Sequence, residues 1–307
     1  MRRRFLLAGI AAGAAGPARA QVGAALPAAP PAPAPLPPGP LPLESYDFLV
    51  ERRARPTRLI RPRASPQPWT REPVPAGAER IAYRAAGRTL WGLLGLPARA
   101  PGARAAPALV YAHGGFAFAN SDFEWLRFLI ERGWAVFTPT WRGENGNPGF
   151  FEFMFGEVDD LASAVRRLTE EPAVDRNRIH VFGHSVGGGL CDLLALFNDL
   201  PIRASGSAGG LYFPDDITAD PRNPLFPPDD IWERRLRTMV PSARQLVRRH
   251  LAVLGSEERL APQVEAMNDQ ARAAASRLTV AVVPGDHQTA LRPALDFFLA
   301  RVEAGDV

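Results

Sequence analysis

From residue 108 onward the chain alternates short, unbroken apolar runs with stretches in which apolar side chains recur every three or four positions. ALVYAHGG, WAVFTPT and RIHVFG are runs of the first kind. They are too short for a buried helix and lack the strict alternation of a strand with one wet face, so they read as strands covered on both sides. SDFEWLRFLIERG has the helical period, with Ser121 and Glu124 predicting a capping box and Gly133 a stop. Residues 157–171 place Val158, Leu161, Ala162, Val165 and Leu168 on one helical face before Pro172 ends it. SVGGGLCDLLALF reads as a third helix, IRASGSAGG (202–210), HLAVLG (250–255) and LTVAVVPG (278–285) as strands. ALRPALDFFLARV closes the chain with Leu291, Leu295, Phe298 and Leu299 on one side. Upstream, residues 78–98 read as two strands around the turn signal Ala86-Gly87. Strands interleaved with amphipathic helices predict an α/β protein, with a mostly parallel eight-stranded sheet carrying helices on both faces.

Two segments break this rhythm. Residues 211–245 (LYFPDDITADPRNPLFPPDD and a helical stretch with Trp232 and Leu236) predict a short insertion after the sixth strand, lying over the strand ends. Residues 27–42, PAAPPAPAPLPPGPLP, predict an extended polyproline-like tether, because proline denies a helix or sheet its donors. Residues 43–75, rich in proline and arginine, carry no clear period and predict irregular surface packing.

The basic balance of the chain, +4 with a pI near 9.9, invites a nucleic-acid partner until its location is read. All basic residues are arginines, and four of the 36 (Arg2, Arg3, Arg4, Arg19) lie in the first twenty positions, which hold no acid. Without that segment 32 basic residues face 32 acidic ones, so no phosphate-binding surface is implied and no nucleic acid is expected. MRRRFLLAGIAAGAAGPARA has the layout of a signal peptide: a basic start, a weakly apolar stretch and the small-x-small ending Ala18-Arg19-Ala20. It is too short for a stable membrane span. Arg2-Arg3-Arg4-Phe5-Leu6 resembles the twin-arginine export signal, an ordinary secretory signal being the alternative. The expected organisation is a signal peptide at 1–20, a tether and irregular lead-in at 21–77 and a catalytic domain at 78–307. The mature protein is expected to be periplasmic or secreted. The single cysteine, Cys191, forms no internal disulfide and reads as a small apolar filler on a buried helix.

RIHVFGHSVGGGL is where the pattern meets chemistry. Ser185 has glycine at both −2 and +2, at the junction of a predicted strand and a predicted helix, which is the signature of a nucleophile on a strained turn. Elimination among five histidines isolates a base. His180 and His250 begin strands, His184 is the variable residue of the motif and His113 belongs to a glycine loop, which leaves His287 in VVPGDHQTA after the last strand. A neutral imidazole there accepts a hydroxyl proton. The glycines of HGGF, 113–116, let backbone amides approach a substrate oxygen, making Gly115 and Phe116, with Val186 at the helix start, the expected oxyanion donors.

The order YAHGGF, FTPTWRGENGNPG, GHSVGG, VLGSEE, PGDH resembles the α/β-hydrolase fold, most closely the catalytic domain of the prolyl oligopeptidase family and the dienelactone-hydrolase-like proteins near it. The segment TWRGENGNPG is similar to that family's Tyr-Arg-Gly-Ser-x-Gly-Tyr-Gly at Arg142, Gly143 and Gly146. The similarity covers roughly residues 78 to 305. It implies that the His287 loop faces Ser185 and that the orienting acid follows the seventh strand at Gly-x-x-Asp, a spacing filled here by Gly255 and Glu258. Glutamate therefore stands where the family has aspartate, with Glu257 as the alternative and Asp286 and the Asp229-Asp230 pair less well placed. The amino-terminal region is too short for a β-propeller. What the resemblance implies is an exported serine hydrolase that cleaves an ester or a small peptide bond through an acyl-enzyme, without metal or organic cofactor. A non-catalytic binding member of the fold is the alternative from another class. Trp141, Tyr212 and Phe213 are the expected pocket side chains. The export reading predicts a mature amino terminus at Gln21; replacing Arg2 and Arg3 by lysine should trap precursor in the cytoplasm, and unchanged fractionation of that variant would leave only the general secretory route.

Overall fold

The apolar runs become eight strands: β1 Glu79–Ala85, β2 Arg88–Gly95, β3 Ala106–Ala112, β4 Ala135–Pro139, β5 Val174–His184, β6 Ala204–Ala208, β7 His250–Gly255 and β8 Leu278–Val283. They form one sheet in the order β1-β2-β4-β3-β5-β6-β7-β8. β1 and β2 pair antiparallel, β2 pairs antiparallel with β4, and every later pairing is parallel. The structure, a computed structural model, describes residues 46–100, 102–217, 224–258, 264, 267–269, 271–272 and 277–307. The expected signal peptide and the proline-rich tether lie outside the described residues.

The helices are α1 Phe48–Ala54, α2 Ser121–Glu124, α3 Arg127–Glu131, α4 Gly156–Leu168, α5 Val186–Leu194, α6 Ile231–Arg235 and α7 Leu291–Ala304. On one face of the sheet, Leu295 and Phe298 of α7 pack with Leu109, Phe182, Leu251 and Val253. α4 and α5 cover the other face, and all five apolar residues assigned to the α4 stripe are buried. Burial of a leucine or phenylalanine is worth about 1.5–3 kcal/mol, so the stripes hold the layers together. Over residues 179–184 of β5 and throughout β7 the side chains on both faces are buried, as a sheet covered twice requires.

Two local expectations differ from what forms. SDFEWLRFLIERG folds as two short helices rather than one. Ser121 is a first-turn residue without a capping bond, and Asp122 accepts from the Ala119 N–H at 2.8 Å instead. A carboxylate three residues ahead of the loop amide competes successfully with the hydroxyl cap.

The second difference is the lead-in. Residues 57–73 form a strap across the loops at the carboxyl ends of the strands. The Ile60 N–H donates to Leu225 O (2.9 Å), the Ser65 N–H to Gly143 O (2.8 Å) and the Phe151 N–H to Arg63 O (2.9 Å). Its partners lie far away in sequence, so no local period announces it. The strap is anchored by Arg237, which is 0% exposed. The guanidinium contacts Glu233 Oε2 at 2.6 Å, Thr57 Oγ1 at 2.6 Å and Glu152 O at 3.0 Å, and stacks 4.1 Å above the Phe226 ring. Glu233 also accepts from Thr57 Oγ1 (2.9 Å) and the Arg58 N–H (2.6 Å), so one ion pair joins strap, insertion and the loop before α4. Removing one partner of such a pair leaves a buried charge uncompensated. Arg237→Met should lower unfolding free energy by about 3–5 kcal/mol in urea titration; a loss under about 1 kcal/mol would show that the pair does not anchor the strap.

Candidate active site

Ser185 sits between the end of β5 and the start of α5 with φ 55° and ψ −118°, a conformation that L-residues rarely adopt. It persists because the surroundings over-determine it. The Ser185 N–H donates to Ala208 O of β6 at 2.9 Å, and Ser185 O accepts the Gly189 N–H at 3.0 Å to begin α5. The flanking glycines are steric necessities. A Cβ at Gly183 would stand 2.2 Å from Gly187 O, and one at Gly187 would stand 2.1 Å from Ala112 O. Helix α5 thus presses its first turn against the ends of β3 and β5, and the serine is forced to the apex. It is 3% exposed.

His287 and Glu258 come together beside this turn. Glu258 Oε2 lies 3.5 Å from His287 Nδ1, while its Oε1 accepts the Gly255 N–H at 3.0 Å. The carboxylate side chain is 4% exposed and the imidazole 41%, so the acid is fixed and the ring is accessible. Gly209, with φ 53°, leaves the room they occupy: a Cβ there would be 2.8 Å from His287 Nδ1 and 3.0 Å from Glu258 Oε1. The other acids are engaged elsewhere. Glu257 is exposed; Asp286 accepts from the Gln288 and Thr289 amides; Asp230 caps α6 through the Trp232 N–H.

Among the described residues no hydrogen bond joins Ser185 to His287; the link between them runs through His184. Its ring packs 4.7 Å from that of His287, and its Nε2 is 2.7 Å from His287 O, which makes it the donor. Burial first, and then the charge of His287, lower the His184 pKa to about 4, so this ring stays neutral while it braces the loop. As the variable residue of the motif it carried no signal in the sequence.

The HGGF loop lies directly against the serine. A Cβ at Gly114 would be 3.5 Å from Ser185 Cβ, and Gly115 has φ 71°. Of the three expected oxyanion donors, Phe116 is engaged by the strap: its N–H donates to Gln67 Oε1 at 2.9 Å, and its carbonyl accepts from Ser65 Oγ. A donor already held by a side chain is not aimed at a developing oxyanion. Val186 is the first residue of α5, where the helix dipole favours negative charge.

His113 at the head of this loop is fully buried. Its Nε2 is 3.1 Å from Glu144 Oε1, and it stacks on Trp141 at 5.5 Å. Burial depresses its pKa, but the charge and hydrogen bond of Glu144 outweigh that and lift it to about 9. An ion pair therefore ties the loop after β3 to the loop after β4. Arg142 fixes the latter, donating to Asp160 on α4 through its Nε (2.9 Å) and Nη2 (2.7 Å).

The three expected pocket side chains are all buried. Trp141 is buried against His113, and Tyr212 lies wholly inside, 3.3 Å from Ser207 Oγ in a network with His250 and Asp192. Phe213 is buried as well, its N–H donating to Asp216 at 2.9 Å. Phe116, Phe151 and Phe153 pack on one another beside the glycine loop, with centroids 5.1–5.8 Å apart. Phe153 and Met154 both have positive φ, and Met154 lies over Gly189 of α5. Nothing in the local sequence marks FEFMF as part of such a cluster, since its orientation comes from that strained backbone.

An eight-stranded sheet with a serine at a strained strand-to-helix turn, and an acid-paired histidine after the last strand, defines the class of hydrolases built on a nucleophile elbow. The chain belongs to the alpha/beta hydrolase family, whose model matches residues 109–306. It is 40% identical over 60 residues to the uncharacterized peptidase YtmA of Bacillus subtilis, a match over 20% of this chain and 23% of that protein. Its fold is similar to that of a putative dipeptidyl aminopeptidase IV from Bacteroides ovatus (TM-score 0.61, 20% identity, 75% of this chain and 35% of that one). It is also similar to the acylaminoacyl peptidase of Pyrococcus horikoshii (TM-score 0.56, 17% identity, 71% and 39%). The chain therefore spans well under half the length of each of these relatives.

The His113 pair carries a pH signature. With its folded pKa raised from 6.5 to about 9, the stabilisation is fully present below 6.5 and is lost as pH rises through 9. The melting temperature of His113→Gln should lie furthest below wild type near pH 6, with the gap closing toward pH 10; a gap that is constant with pH would refute the charged pair.

Proposed function

We propose that the protein is an exported serine hydrolase that cleaves an ester or small amide bond through an acyl-enzyme. The observation that carries this reading is Ser185 held at φ 55° beside a buried carboxylate that contacts an accessible imidazole. Ser185 Oγ attacks the carbonyl carbon while the free Nε2 of His287 takes its proton; Glu258 holds the Nδ1–H tautomer and stabilises the imidazolium. The N–H groups of Val186 and Gly115 receive the oxyanion. The imidazolium then protonates the leaving group, and a water activated by the same ring releases the acid.

Amide cleavage is the second reading, favoured by the names of the structures that share the fold, an aminopeptidase and an acylaminoacyl peptidase. Ester cleavage is preferred here because the strap, residues 57–73, lies across the loops at the strand ends and holds Phe116 through Ser65 and Gln67, which favours a small acyl group. Export rests on the amino-terminal segment alone, with the periplasm or the exterior as the destination.

A fluorophosphonate should label the wild type and leave Ser185→Ala, folded, unlabelled. Glu258→Gln should lower kcat by up to about 10⁴-fold, with Glu257→Gln near wild type. Hydrolysis of p-nitrophenyl esters should exceed that of aminoacyl-anilides in kcat/KM. Labelling that survives in Ser185→Ala would remove the reading, and the reverse substrate order would make the protein a peptidase.

A further inference from the structure

Beneath the strap lies a cavity of about 230 Å³ that the chemistry above does not use. Strap residues Trp69, Arg71 and Glu72 close one side, Arg80 of β1 and Trp91 of β2 form the floor, and the loops after β3 and β4 supply the back wall. That wall is preset: the Asn145 side chain accepts from the Phe118 N–H and donates to Phe118 O, both at 2.8 Å. Glu72 Oε2 accepts the Asn120 N–H at 2.6 Å, fixing the strap to the same loop.

The lining carries two arginines, the exposed Arg71 and the half-buried Arg80, and one glutamate, Glu72. Arg80 stacks its guanidinium 4.2 Å over the Trp91 ring, and its Nε is buried with no hydrogen-bond partner among the described residues. Neither Arg80 nor Arg71 has a carboxylate partner among those residues, although elsewhere in the chain buried arginines such as Arg142 and Arg237 are paired. With its Nε occluded, the half-buried guanidinium offers an occupant its two Nη groups, which have no hydrogen-bond partner among the described residues. Trp69, 44% exposed above the cavity, and Trp91 below it provide apolar faces for a flat or aliphatic body.

We propose that this cavity is a recognition subsite for a carboxylate borne on a small planar or apolar group, and that the substrate carries this carboxylate away from its scissile bond. Three features select the class. The volume is below the roughly 300–1,000 Å³ of a drug-sized ligand site, so it takes a single ring or short chain. A guanidinium edge matches the two oxygens of a carboxylate. Glu72 stands in the same lining, so the repulsion on a dianionic phosphate is about twice that on a single carboxylate charge. The link to the scissile bond is covalent continuity. Phe118 and Asn120 follow the Gly114-Gly115 turn against Ser185, and Trp69 follows the Gln67 that holds Phe116. An occupant therefore rests on the loop that carries the expected oxyanion donors. This substrate assignment rests on the hydrolase reading, whereas the binding site does not.

The test has two arms on the full mature chain. In the first, benzoate, benzamide and phenyl phosphate are titrated calorimetrically into wild type, Arg80→Met and Arg71→Gln. Benzoate should bind about tenfold or more tightly than either analogue, and Arg80→Met should erase that preference. Equal binding of benzoate and benzamide, or a preference untouched in both variants, would overturn the site. In the second arm, kcat/KM for the mono-4-nitrophenyl ester of glutaric acid is compared with that for 4-nitrophenyl butyrate. The wild type should favour the glutarate, and Arg80→Met should lose the preference. Benzoate binding without any ester preference would overturn the substrate assignment. Benzoate binding through Arg80 in a protein that fluorophosphonate does not label would refute the hydrolase reading while leaving the subsite standing.

Discussion

The architecture depends on one close approach, the first turn of α5 against the ends of β3 and β5. With a Cβ at either Gly183 or Gly187 the helix backbone would overlap a carbonyl at little more than 2 Å, so only glycine permits it. From that contact follow the strained φ of Ser185, its place at the helix amino terminus, and the seating of the HGGF loop on it. The strain is sustained by cooperation: the Ser185 amide is held by β6, and the parallel sheet fixes β3, β5 and β6 relative to one another.

Around this fixed point, loops from distant parts of the chain are held by polar contacts in a nearly dry environment. His113 with Glu144 and Arg142 with Asp160 each join two segments far apart in the chain, and the local Arg237–Glu233 pair reaches out to Thr57, Arg58 and Glu152. Buried pairs of this kind add little net stability against apolar replacements, but breaking one leaves an uncompensated charge. They therefore resist loop displacement. The strap extends the same principle, since its side chains at Ser65 and Gln67 hold both polar groups of the Phe116 peptide and leave the glycine amide beside it unencumbered.

The fold was legible in the sequence because its signals are local. Apolar runs with and without helical period, the Ala86-Gly87 turn and the Gly133 stop depend on neighbours within a few residues. Ser185 was legible for the same reason: the two glycines that its conformation requires are adjacent to it. His287 and Glu258 could be reached through chain order, since each follows a strand whose end lies at the same edge of the sheet.

What the tertiary structure alone decided is everything set by contacts between residues far apart in sequence. Phe116 is held by the strap because a glutamine 49 residues upstream reaches its amide. Trp141 and Tyr212 are internal because His113 and the Ser207 network claim them, while Phe151 and Phe153 face the loop through backbone strain. The lead-in, which has no period of its own, is ordered by hydrogen bonds to partners 50 to 180 residues away. Period and turn chemistry are properties of a window of chain. Burial and pairing across the strand ends are properties of the folded whole.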